Sequence, residues 1–495
     1  MFASIPQAVF ALLLLYFCQT TIRRLYLHPL RRIPGPISWI IFPITRHISD
    51  IRGNLDIDIR RFHARYGSVV RVGPNEVSFA TPEAWKDIYG HGPHGHGQLP
   101  KVVISVSKGM DIISANDTDH SRFRKILSPA FSAKGVQAQE PLLSGHVDKL
   151  ITRLKELAGS QSPADMTKWY NLTTFDVIGD LALGESFGGL DSSQYHYWVS
   201  TLLAAMRMSP FMRLGDAYPF ITKLIPPFVF KWLLEARERH AEYSKATIKK
   251  RLQNSSARGR GDYMDSMLRN RGEKGGLSYE ELEANATILV IAGSETSSSL
   301  LTGLTYWLLR SPDVLAKVVS EVRTVMKSEA DITFNSVTAN LPYTLACIDE
   351  AFRMFPPVPT GLRRVTLTTT HIAGYEIPAG TMVSVHQSAA YWSPMNFHAP
   401  ERFIPERWLP EAKSDPSSPF FSDKRDVIQP FSVGPRDCIG RNLVFAEIRV
   451  IITRMLWNFD LELCEESLDW LNQKTYTLWD KPPLMCKLSP REWKE

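Results

Sequence analysis

Apolar positions along the chain fall into three successive patterns. The stretch from residue 5 to residue 18 is almost entirely apolar and, with its flanks, reaches about 20 residues, the length a helix needs to cross a bilayer. Apolar residues at helical spacing then dominate from about residue 121 to residue 309. Short runs typical of strands precede this region and return after Gly361. The pattern predicts a mainly α-helical body with small β-sheets, preceded by a single N-terminal transmembrane helix.

The longest helix is predicted with defined ends. Ser278 and Glu281 have the spacing of a capping box, and apolar and small residues continue from there to Leu309. Ser311 and Pro312 then stop the pattern. A helix of about 33 residues extends roughly 50 Å and would cross a whole domain. We therefore expect one large domain over residues 37–495 rather than several small ones.

Strands are predicted in two places. Residues 69–72 and 76–79, separated by a Gly-Pro pair, indicate a strand, a turn and a second strand, and residues 81–83 open a short helix. Residues 371–385 are expected to form a hairpin whose turn lies at residues 378–380, Pro-Ala-Gly.

The basic residues near the N-terminus predict the orientation of the apolar helix. None precedes the apolar run, whereas a cleaved signal peptide carries its positive charge before it. Four follow the run: Arg23, Arg24, Arg31 and Arg32. The positive-inside rule then places the body on the cytoplasmic side. We interpret residues 1–22 as a transmembrane anchor and residues 23–36, which end in Pro34-Gly35-Pro36, as a basic linker and stiff hinge. A buried core helix is the alternative for the apolar run.

Charge and cysteine content exclude several classes of protein. Lys and Arg number 57 against 51 Asp and Glu, a net charge of +6, and no long basic run occurs, so nucleic-acid binding has no support. The five cysteines are widely spaced and form no Cys-x-x-Cys pair. This spacing argues against a disulfide-stapled secreted protein and against a cysteine-based zinc site.

Residues 431–440, Phe-Ser-Val-Gly-Pro-Arg-Asp-Cys-Ile-Gly, are the first candidate site. Cys438 lies on this loop just before a predicted helix over residues 439–457, whose N-terminal partial charge favours a thiolate. Gly434 and Gly440 allow the backbone to approach a flat ligand, and Arg436 supplies a cation for a carboxylate on that ligand. From the residues alone, a buried structural cysteine remains an equally good interpretation.

The segment resembles the heme-binding loop of the cytochrome P450 monooxygenases, F-x-x-G-x-R-x-C-x-G. All five fixed positions match: Phe431, Gly434, Arg436, Cys438 and Gly440. Three more motifs follow the family pattern, Ala-Gly-Ser-Glu-Thr at 292–296, Glu-Ala-Phe-Arg at 350–353 and Pro-Glu-Arg-Trp at 405–408. The resemblance covers essentially the whole chain. It implies the cytochrome P450 fold and a heme b cofactor whose iron is bound axially by the Cys438 thiolate.

The resemblance also implies roles for residues of the long helix. Glu295 and Thr296 would deliver protons to dioxygen, and the small Ala292 and Gly293 would leave room for it. A threonine inside a helix more commonly donates a hydrogen bond to the carbonyl oxygen four residues earlier.

Two further groups follow from the same resemblance. One is a buried structural cluster of ionic side chains beneath the heme loop: Glu350, Arg353 and Arg407. The other would bind the heme propionates. It contains Arg124, His120 in place of the family's tryptophan in W-x-x-x-R, and Arg364. Arg363 stands where related sequences usually have proline, which leaves open which of the two arginines points inward.

The activity implied is insertion of one atom of O2 into a small apolar substrate, as in the filamentous-fungal members that modify polyketides and terpenoids. A heme-thiolate isomerase or dehydratase, and a non-catalytic heme-binding protein, are the alternatives. Such isomerases often lack the acid–threonine pair, so Glu295 and Thr296 argue against the first.

Partners and location follow from the same comparison of motifs. With no flavin or nicotinamide motif in the chain, electrons are expected from an NADPH-cytochrome P450 reductase, docked near Arg122, Lys125 and Arg441. The protein would be a single-pass membrane protein of the endoplasmic reticulum with its catalytic domain facing the cytosol. The apolar segment 220–230 would contact the membrane beside a substrate entrance, with core packing as the alternative.

Overall fold

The computed structural model describes residues 4–91, 98–102, 109–222, 242–243, 245–251, 253, 260–269 and 275–491. Over these residues the α-helices are α1 (Ser4–Ile22), α2 (Ile37–Ile41), α3 (Ile44–Ile51), α4 (Leu55–Tyr66), α5 (Pro82–Tyr89), α6 (Asp117–Phe131), α7 (Ala133–Ala138), α8 (Glu140–Gly159), α9 (Met166–Leu183), α10 (Gly189–Ser192), α11 (Tyr197–Ala217), α12 (Pro219–Thr222), α13 (Tyr263–Leu268), α14 (Tyr279–Leu309), α15 (Pro312–Val325), α16 (Phe334–Asn340), α17 (Pro342–Met354), α18 (Gln387–Tyr391), α19 (Pro410–Ser414) and α20 (Arg441–Asn458).

In the part of the chain that the structure describes, the strands are short and form four small sheets. They are β1 (Val69–Gly73), β2 (Glu76–Phe79), β3 (Ala164–Asp165), β4 (Arg364–Val365), β5 (Thr370–Ile372), β6 (Tyr375–Ile377), β7 (Met382–Val385), β8 (Phe459–Leu463), β9 (Lys474–Tyr476), β10 (Leu478–Asp480) and β11 (Met485–Pro490). The strand orders are β1-β2-β7-β4, β5-β6, β3-β11-β8 and β10-β9. The predicted mainly helical body with small sheets is confirmed.

The long helix α14 has the ends that the sequence indicates. Its 31 residues begin after Ser278, whose hydroxyl accepts the amide of Glu281 at 3.1 Å, while the Glu281 carboxylate accepts the amide of Ser278 at 2.9 Å. This reciprocal capping box satisfies two amides that the first helical turn cannot pair internally.

The chain divides into two compact units, each assembled from separate segments. The first unit contains residues 1–102, 359–400 and 422–437, and the second contains residues 103–358, 401–421 and 438–495. The expectation of one domain over residues 37–495 stays a prediction.

The first unit is built on the four-stranded sheet. Strand β2 pairs antiparallel with β1 and parallel with β7, and the register places Val77 opposite Val383 and Phe79 opposite Val385. These side chains join Trp85 of α5 in a fully covered apolar core. Both faces of β1 and β2 are buried. This explains why β1 does not alternate between apolar and polar residues, whereas β2 does alternate and buries its polar Glu76 and Ser78 as well.

The hairpin predicted over residues 371–385 is wrong in its pairing. Strand β5 pairs with β6 through a two-residue turn at Ala373 and Gly374, where both residues have positive φ, +48° and +81°. Such a turn matches the twist of an antiparallel pair. Strand β7, placed in that hairpin by the sequence, instead pairs with β2, about 300 residues earlier in the chain, and with β4, about 20 residues earlier.

The linker that follows the N-terminal helix contacts strand β1 of the first unit. Helical backbone continues from α1 through a π-helical segment, Arg23–Leu27, and the span Pro6–Leu27 is long and apolar enough to cross a membrane, five residues beyond the predicted end. The Arg71 guanidinium donates to the Arg24 carbonyl oxygen at 2.9 Å, and the Arg71 amide donates to Pro34 at 2.8 Å. Leu30 is 1% exposed. The linker is therefore attached to β1 at Arg24 and at Pro34, and the stiff hinge stays a prediction.

The second unit is organised around α14. This helix packs most extensively against α9 and also contacts α17 and α20. The sheet β3-β11-β8 and the hairpin β9–β10 are formed by the C-terminal part of the chain together with residues 164–165. Because α9 is buried along nearly its whole length, it lacks the one-sided apolar stripe of a surface helix.

We expect truncation to separate the anchor from the packed linker. Deleting residues 1–22 should weaken membrane association while leaving the free energy of unfolding of the remainder nearly unchanged. Deleting residues 1–32 should destabilise the protein, because it removes the buried Leu30 and the Arg24 carbonyl that accepts from Arg71. Urea unfolding measures the difference. Leu30→Ala in the shorter truncation is the matched variant, with an expected cost of about 2–5 kcal/mol. Equal stability of the two truncations would contradict the packing described.

Candidate active site

The sequence-predicted site residues are distributed over both units. Those in the first unit are Phe431, Gly434, Arg436 and Arg364, and those in the second are Cys438, Gly440, His120, Arg124, Glu295, Thr296, Glu350, Arg353 and Arg407.

The loop before Cys438 depends on a glycine at position 434. Gly434 has a φ of +81°, and the Asp437 amide donates to its carbonyl oxygen at 3.1 Å, which closes a tight turn around Arg436. A Cβ atom on Gly434 would lie 2.0 Å from the carbonyl oxygen of Tyr89, at the end of α5. Both the backbone conformation and this close approach exclude any larger residue. The turn therefore presents Arg436 at a fixed position in the chain, two residues before Cys438.

Cys438 lies outside regular secondary structure, three residues before α20, and its side chain is exposed. Cys347, Cys464 and Cys486 are buried by contrast. A Cβ atom on Gly440 would stand 3.7 Å from the Cys438 sulfur, so the glycine keeps the space beside the sulfur open. An exposed thiol at the start of an 18-residue helix does not fit the structural-cysteine interpretation, and it does fit a ligand thiolate.

The segment 292–296 lies inside α14. The Thr296 hydroxyl donates to the Ala292 carbonyl oxygen at 2.6 Å, the common behaviour of a threonine in a helix. A Cβ atom on Gly293 would lie 2.8 Å from the Ile178 side chain of α9. Gly293 therefore allows α9 and α14 to pack closely, a role that the sequence did not indicate.

Glu295 is paired with a residue that the sequence analysis missed. The Lys481 ammonium, in the segment after β10, contacts Glu295 Oε1 and donates to the Ser299 hydroxyl at 2.8 Å. Glu295 Oε2 is buried and has no hydrogen-bond partner among the described residues. No local motif surrounds Lys481, and 186 positions separate it from Glu295, so no sequence signal pointed to the pair.

A second buried carboxyl group links α14 to the helix that follows Cys438. The Ser297 hydroxyl donates to Glu447 Oε2 on α20 at 2.6 Å. Burial raises the pKa of Glu447 to about 8, against the smaller opposing effect of the Ser297 hydrogen bond. The carboxyl group is therefore mainly protonated at neutral pH. This link joins the helix that carries Glu295 and Thr296 to the helix that begins just after Cys438.

Two of the predicted propionate-binding residues lie on α6. His120 and Arg124 are four residues apart and therefore share one face of that helix. Arg122 points elsewhere, since its guanidinium contacts Glu281 Oε1 at 2.5 Å and Asp119 Oδ1 at 2.9 Å. The Arg122 hydrogen bonds hold the pKa of Glu281 below its usual value. Arg122 is thus paired with two carboxylates, and the docking surface near Arg122, Lys125 and Arg441 stays a prediction.

Arg364, the first residue of β4, is the buried member of the pair Arg363 and Arg364. It is 4% exposed, whereas Arg363 is partly exposed. The Arg364 guanidinium lies 5.2 Å from the centre of the Tyr89 ring and makes long hydrogen bonds of 3.3 Å to the Arg363 carbonyl oxygen and 3.5 Å to Gln98 Oε1. Of the two arginines, Arg364 is therefore the one that lies in the interior.

Glu350, Arg353 and Arg407 form the expected cluster, and each side chain is 0% exposed. Glu350 Oε1 accepts from Arg353 Nη2 at 2.7 Å and Arg407 Nε at 3.2 Å. The same carboxylate also accepts the Ile404 amide at 2.9 Å and Trp408 Nε1 at 2.8 Å. Trp408 was quoted in the sequence motif but given no role there. The five hydrogen bonds to Glu350, which include Arg353 Nε at 2.9 Å, tie α17 to the segment 404–408.

Among the described residues, no group of three or more His, Cys, Asp or Glu side chains is placed to hold a metal ion. The geometry in the second unit instead offers one exposed cysteine sulfur at a helix start and, on α14, a buried acid next to a hydroxyl.

Comparison with known proteins agrees with this geometry. The family model for cytochrome P450 matches residues 33–488, and the chain belongs to the cytochrome P450 family. Members of this family bind heme through a cysteine thiolate and use O2 with electrons from a redox partner.

Relatives with similar sequences extend over nearly the whole chain. Cytochrome P450 monooxygenase olcB of Penicillium canescens is 56% identical over 480 residues, 97% of each chain. The trichothecene C-4 hydroxylase of Trichoderma arundinaceum is 53% identical over 487 residues, 98% of this chain and 97% of the relative. Averantin hydroxylase of Dothistroma septosporum is 42% identical over 484 residues, 97% and 90% of the two chains. The protein is accordingly a cytochrome P450 monooxygenase, and the isomerase and non-catalytic interpretations lose their support.

The ionic cluster predicts a large effect of a single substitution. Arg353→Ala should destabilise the protein by about 3–5 kcal/mol, because it leaves the buried Glu350 carboxylate without its main cationic partner. Urea unfolding and heme content measure the effect. Arg402→Ala is the matched control, since the Arg402 side chain is exposed and its backbone carbonyl alone contacts Arg353. Wild-type stability of Arg353→Ala would show that the cluster is dispensable.

Proposed function

We propose that the protein inserts one atom of O2 into a C–H bond of a small apolar secondary metabolite, with heme b held by Cys438. The balanced reaction consumes substrate, O2, NADPH and one proton, and yields the hydroxylated product, water and NADP⁺. The observation that carries the proposal is the exposed Cys438 thiol at the start of α20, inside the complete heme-loop motif. The names of the relatives, a trichothecene hydroxylase and an averantin hydroxylase among them, support the substrate class.

The chain's own residues fit heme b in several respects. Cys438 would be the axial ligand, with its negative charge stabilised by the N-terminal amides of α20. Gly440 leaves the space beside the sulfur open, and Gly434 fixes the turn that carries Arg436. Arg436, Arg124, Arg364 and His120 would bind the two propionates, with Arg364 preferred to Arg363 because it is the buried arginine. When bound, a thiolate-ligated heme supplies the electron-rich iron that favours cleavage of the O–O bond.

Glu295 and Thr296 would move the protons that the reaction requires. Two protons reach dioxygen in each cycle, and one of its oxygen atoms leaves as water. The Thr296 hydroxyl must release the Ala292 carbonyl oxygen in order to donate to dioxygen. Glu295, whose Oε2 atom has no hydrogen-bond partner among the described residues, offers the adjacent group that can return a proton to that hydroxyl.

Electrons would come from an NADPH-cytochrome P450 reductase in the same membrane. The apolar span Pro6–Leu27, exposed along its length, supports a single-pass anchor, and the arginines after it support a catalytic domain on the cytosolic face of the endoplasmic reticulum. Phe220, in the short helix α12, is 63% exposed and would be the first residue of the membrane-contacting segment. Residues 223–230 of that segment lie outside the described residues.

Replacement of Cys438 tests the ligand assignment. Cys438→Ala should abolish the absorption band of the reduced, CO-bound protein near the position typical of thiolate-ligated heme, and turnover with it. Cys18→Ala, which changes an exposed cysteine of α1, should keep both. A Cys438→Ala protein that retained the band and formed product would refute the assignment.

Replacement of Thr296 tests the proton relay. Thr296→Ala should still bind heme and substrate, while product per NADPH falls about tenfold or more and peroxide rises, because a positioned proton-transfer group typically contributes 10²–10⁴-fold. Thr302→Ala is the matched control, since the Thr302 hydroxyl likewise donates to the carbonyl four residues earlier, Ser298, at 2.7 Å. Product per NADPH and peroxide are measured together. Equal coupling in the two variants would remove the relay role from Thr296.

A further inference from the structure

We propose that Lys481 is a positioning residue for proton delivery: it holds the Glu295 carboxylate in the orientation from which protons reach Thr296. The proposal rests on the function proposed above for Glu295 and Thr296. It adds a residue from the C-terminal part of the chain, outside all of the sequence motifs, to the groups that determine how much of the consumed O2 ends in product.

The contact itself is fully buried. The Lys481 and Glu295 side chains are 2% and 4% exposed, and the ammonium bridges Glu295 Oε1 and the Ser299 hydroxyl, which lie one helical turn apart on α14. This bridge fixes one carboxylate oxygen. It leaves Oε2, which has no hydrogen-bond partner among the described residues, as the atom free to exchange a proton.

Stability alone does not account for such a pair. Desolvation of two charges offsets most of their attraction, and apolar residues of similar volume often give an equally stable or more stable protein. An ion pair buried at Glu295, next to Thr296, therefore indicates that the orientation of this carboxylate has to be fixed. A free glutamate side chain samples several rotamers, and Lys481 selects the one that faces it.

The hairpin β9–β10 fixes the position of Lys481 along α14, beside Glu295. The Trp479 ring stacks on Phe355 with centroids 4.6 Å apart, and its Nε1 donates to the Pro356 carbonyl oxygen at 2.8 Å. Phe355 in turn lies against Gly303 of α14, where a Cβ atom would come within 2.5 Å of the ring. The chain two residues before Lys481 is thus fixed relative to α14.

The same hairpin is attached to α11. Asp480 accepts from Arg207 at 2.7 Å, the Arg213 guanidinium contacts the Thr477 hydroxyl at 3.0 Å, and the Ser209 hydroxyl donates to the Tyr476 carbonyl oxygen at 3.3 Å. A displacement of α11 would therefore act on the segment that carries Lys481.

The test is a double-mutant cycle in the full-length protein with reductase. Lys481→Met removes the charge and keeps the length, Glu295→Gln removes the acid, and the double variant removes both charges. Product and peroxide per NADPH are measured, and the substrate-induced change of the heme spectrum controls for binding. Lys474→Met, at an exposed lysine of the same hairpin, is the matched control.

We expect Lys481→Met to lower product per NADPH severalfold, toward the value of Glu295→Gln, with peroxide making up the difference. The double variant should equal Glu295→Gln alone, because Lys481 acts through Glu295. Lys481→Arg should retain more coupling than Lys481→Met, since it restores the positive charge, and Lys474→Met should behave as wild type.

Other outcomes separate the failure of this inference from the failure of the proposed function. If Thr296→Ala loses coupling while Lys481→Met retains it, Lys481 has no positioning role and the function stands. If Lys481→Met does not fold, the charge-neutral double variant decides, and coupling below that of Glu295→Gln would overturn the inference. An absence of NADPH-dependent product in the wild-type protein would instead refute the proposed function.

Discussion

The burial of polar side chains along α14 is the constraint on which the second unit depends. A buried hydroxyl or carboxylate must find its hydrogen bonds within the protein, because leaving it unpaired costs far more than an ordinary hydrogen bond contributes. For four buried side chains on α14, the partners come from three other elements. Ser297 pairs with Glu447 of α20, Ser298 with Asn171 of α9, Thr305 with Tyr170 of α9, and Glu295 with Lys481 after β10. Together these pairs set the rotation of α14 and the elements packed against it.

Small residues on the same helix make these pairings possible. Gly293 admits Ile178 of α9, and Gly303 admits the ring of Phe355. Neither contact could form if the glycine carried a side chain, since the interior is close-packed and tolerates little displacement. Glycine lowers the intrinsic stability of the helix, but it allows the neighbouring elements to approach closely. The proposed acid and hydroxyl are held in this rigid part of the unit.

Two buried ionic groups in the second unit differ in character. The Glu350 carboxylate is saturated by five hydrogen bonds from Arg353, Arg407, Trp408 and a backbone amide, so it has little capacity for chemistry. The Glu295 carboxylate has one oxygen bound and one without a hydrogen-bond partner among the described residues. A carboxylate whose hydrogen bonds are all formed is suited to a structural role, and a carboxylate with one oxygen lacking a hydrogen bond is suited to proton exchange. The same chemical pair, carboxylate and cation, therefore supports two proposed functions according to how many donors surround it.

The sequence by itself determined the features that depend on neighbouring residues. The start of α14 follows from the capping box at Ser278. The strands β1 and β2 follow from short runs typical of strands, separated by a Gly-Pro pair. The residues of the heme loop follow from a ten-residue motif. Glu350 and Arg353 are three residues apart on one helix, so their pairing also followed from local spacing.

Only the tertiary structure decided the pairings between distant parts of the chain. Strand β7 pairs with the distant β2 and with β4 and not with the nearer β6, the linker residues Arg24 and Pro34 bind Arg71, and Glu295 meets Lys481. In each case many residues of similar character could form the contact, and the packing of the intervening chain decides which of them does. A lysine 186 positions from its carboxylate leaves no trace in local periodicity or spacing, because the contact arises from the fold and not from the chain around either residue.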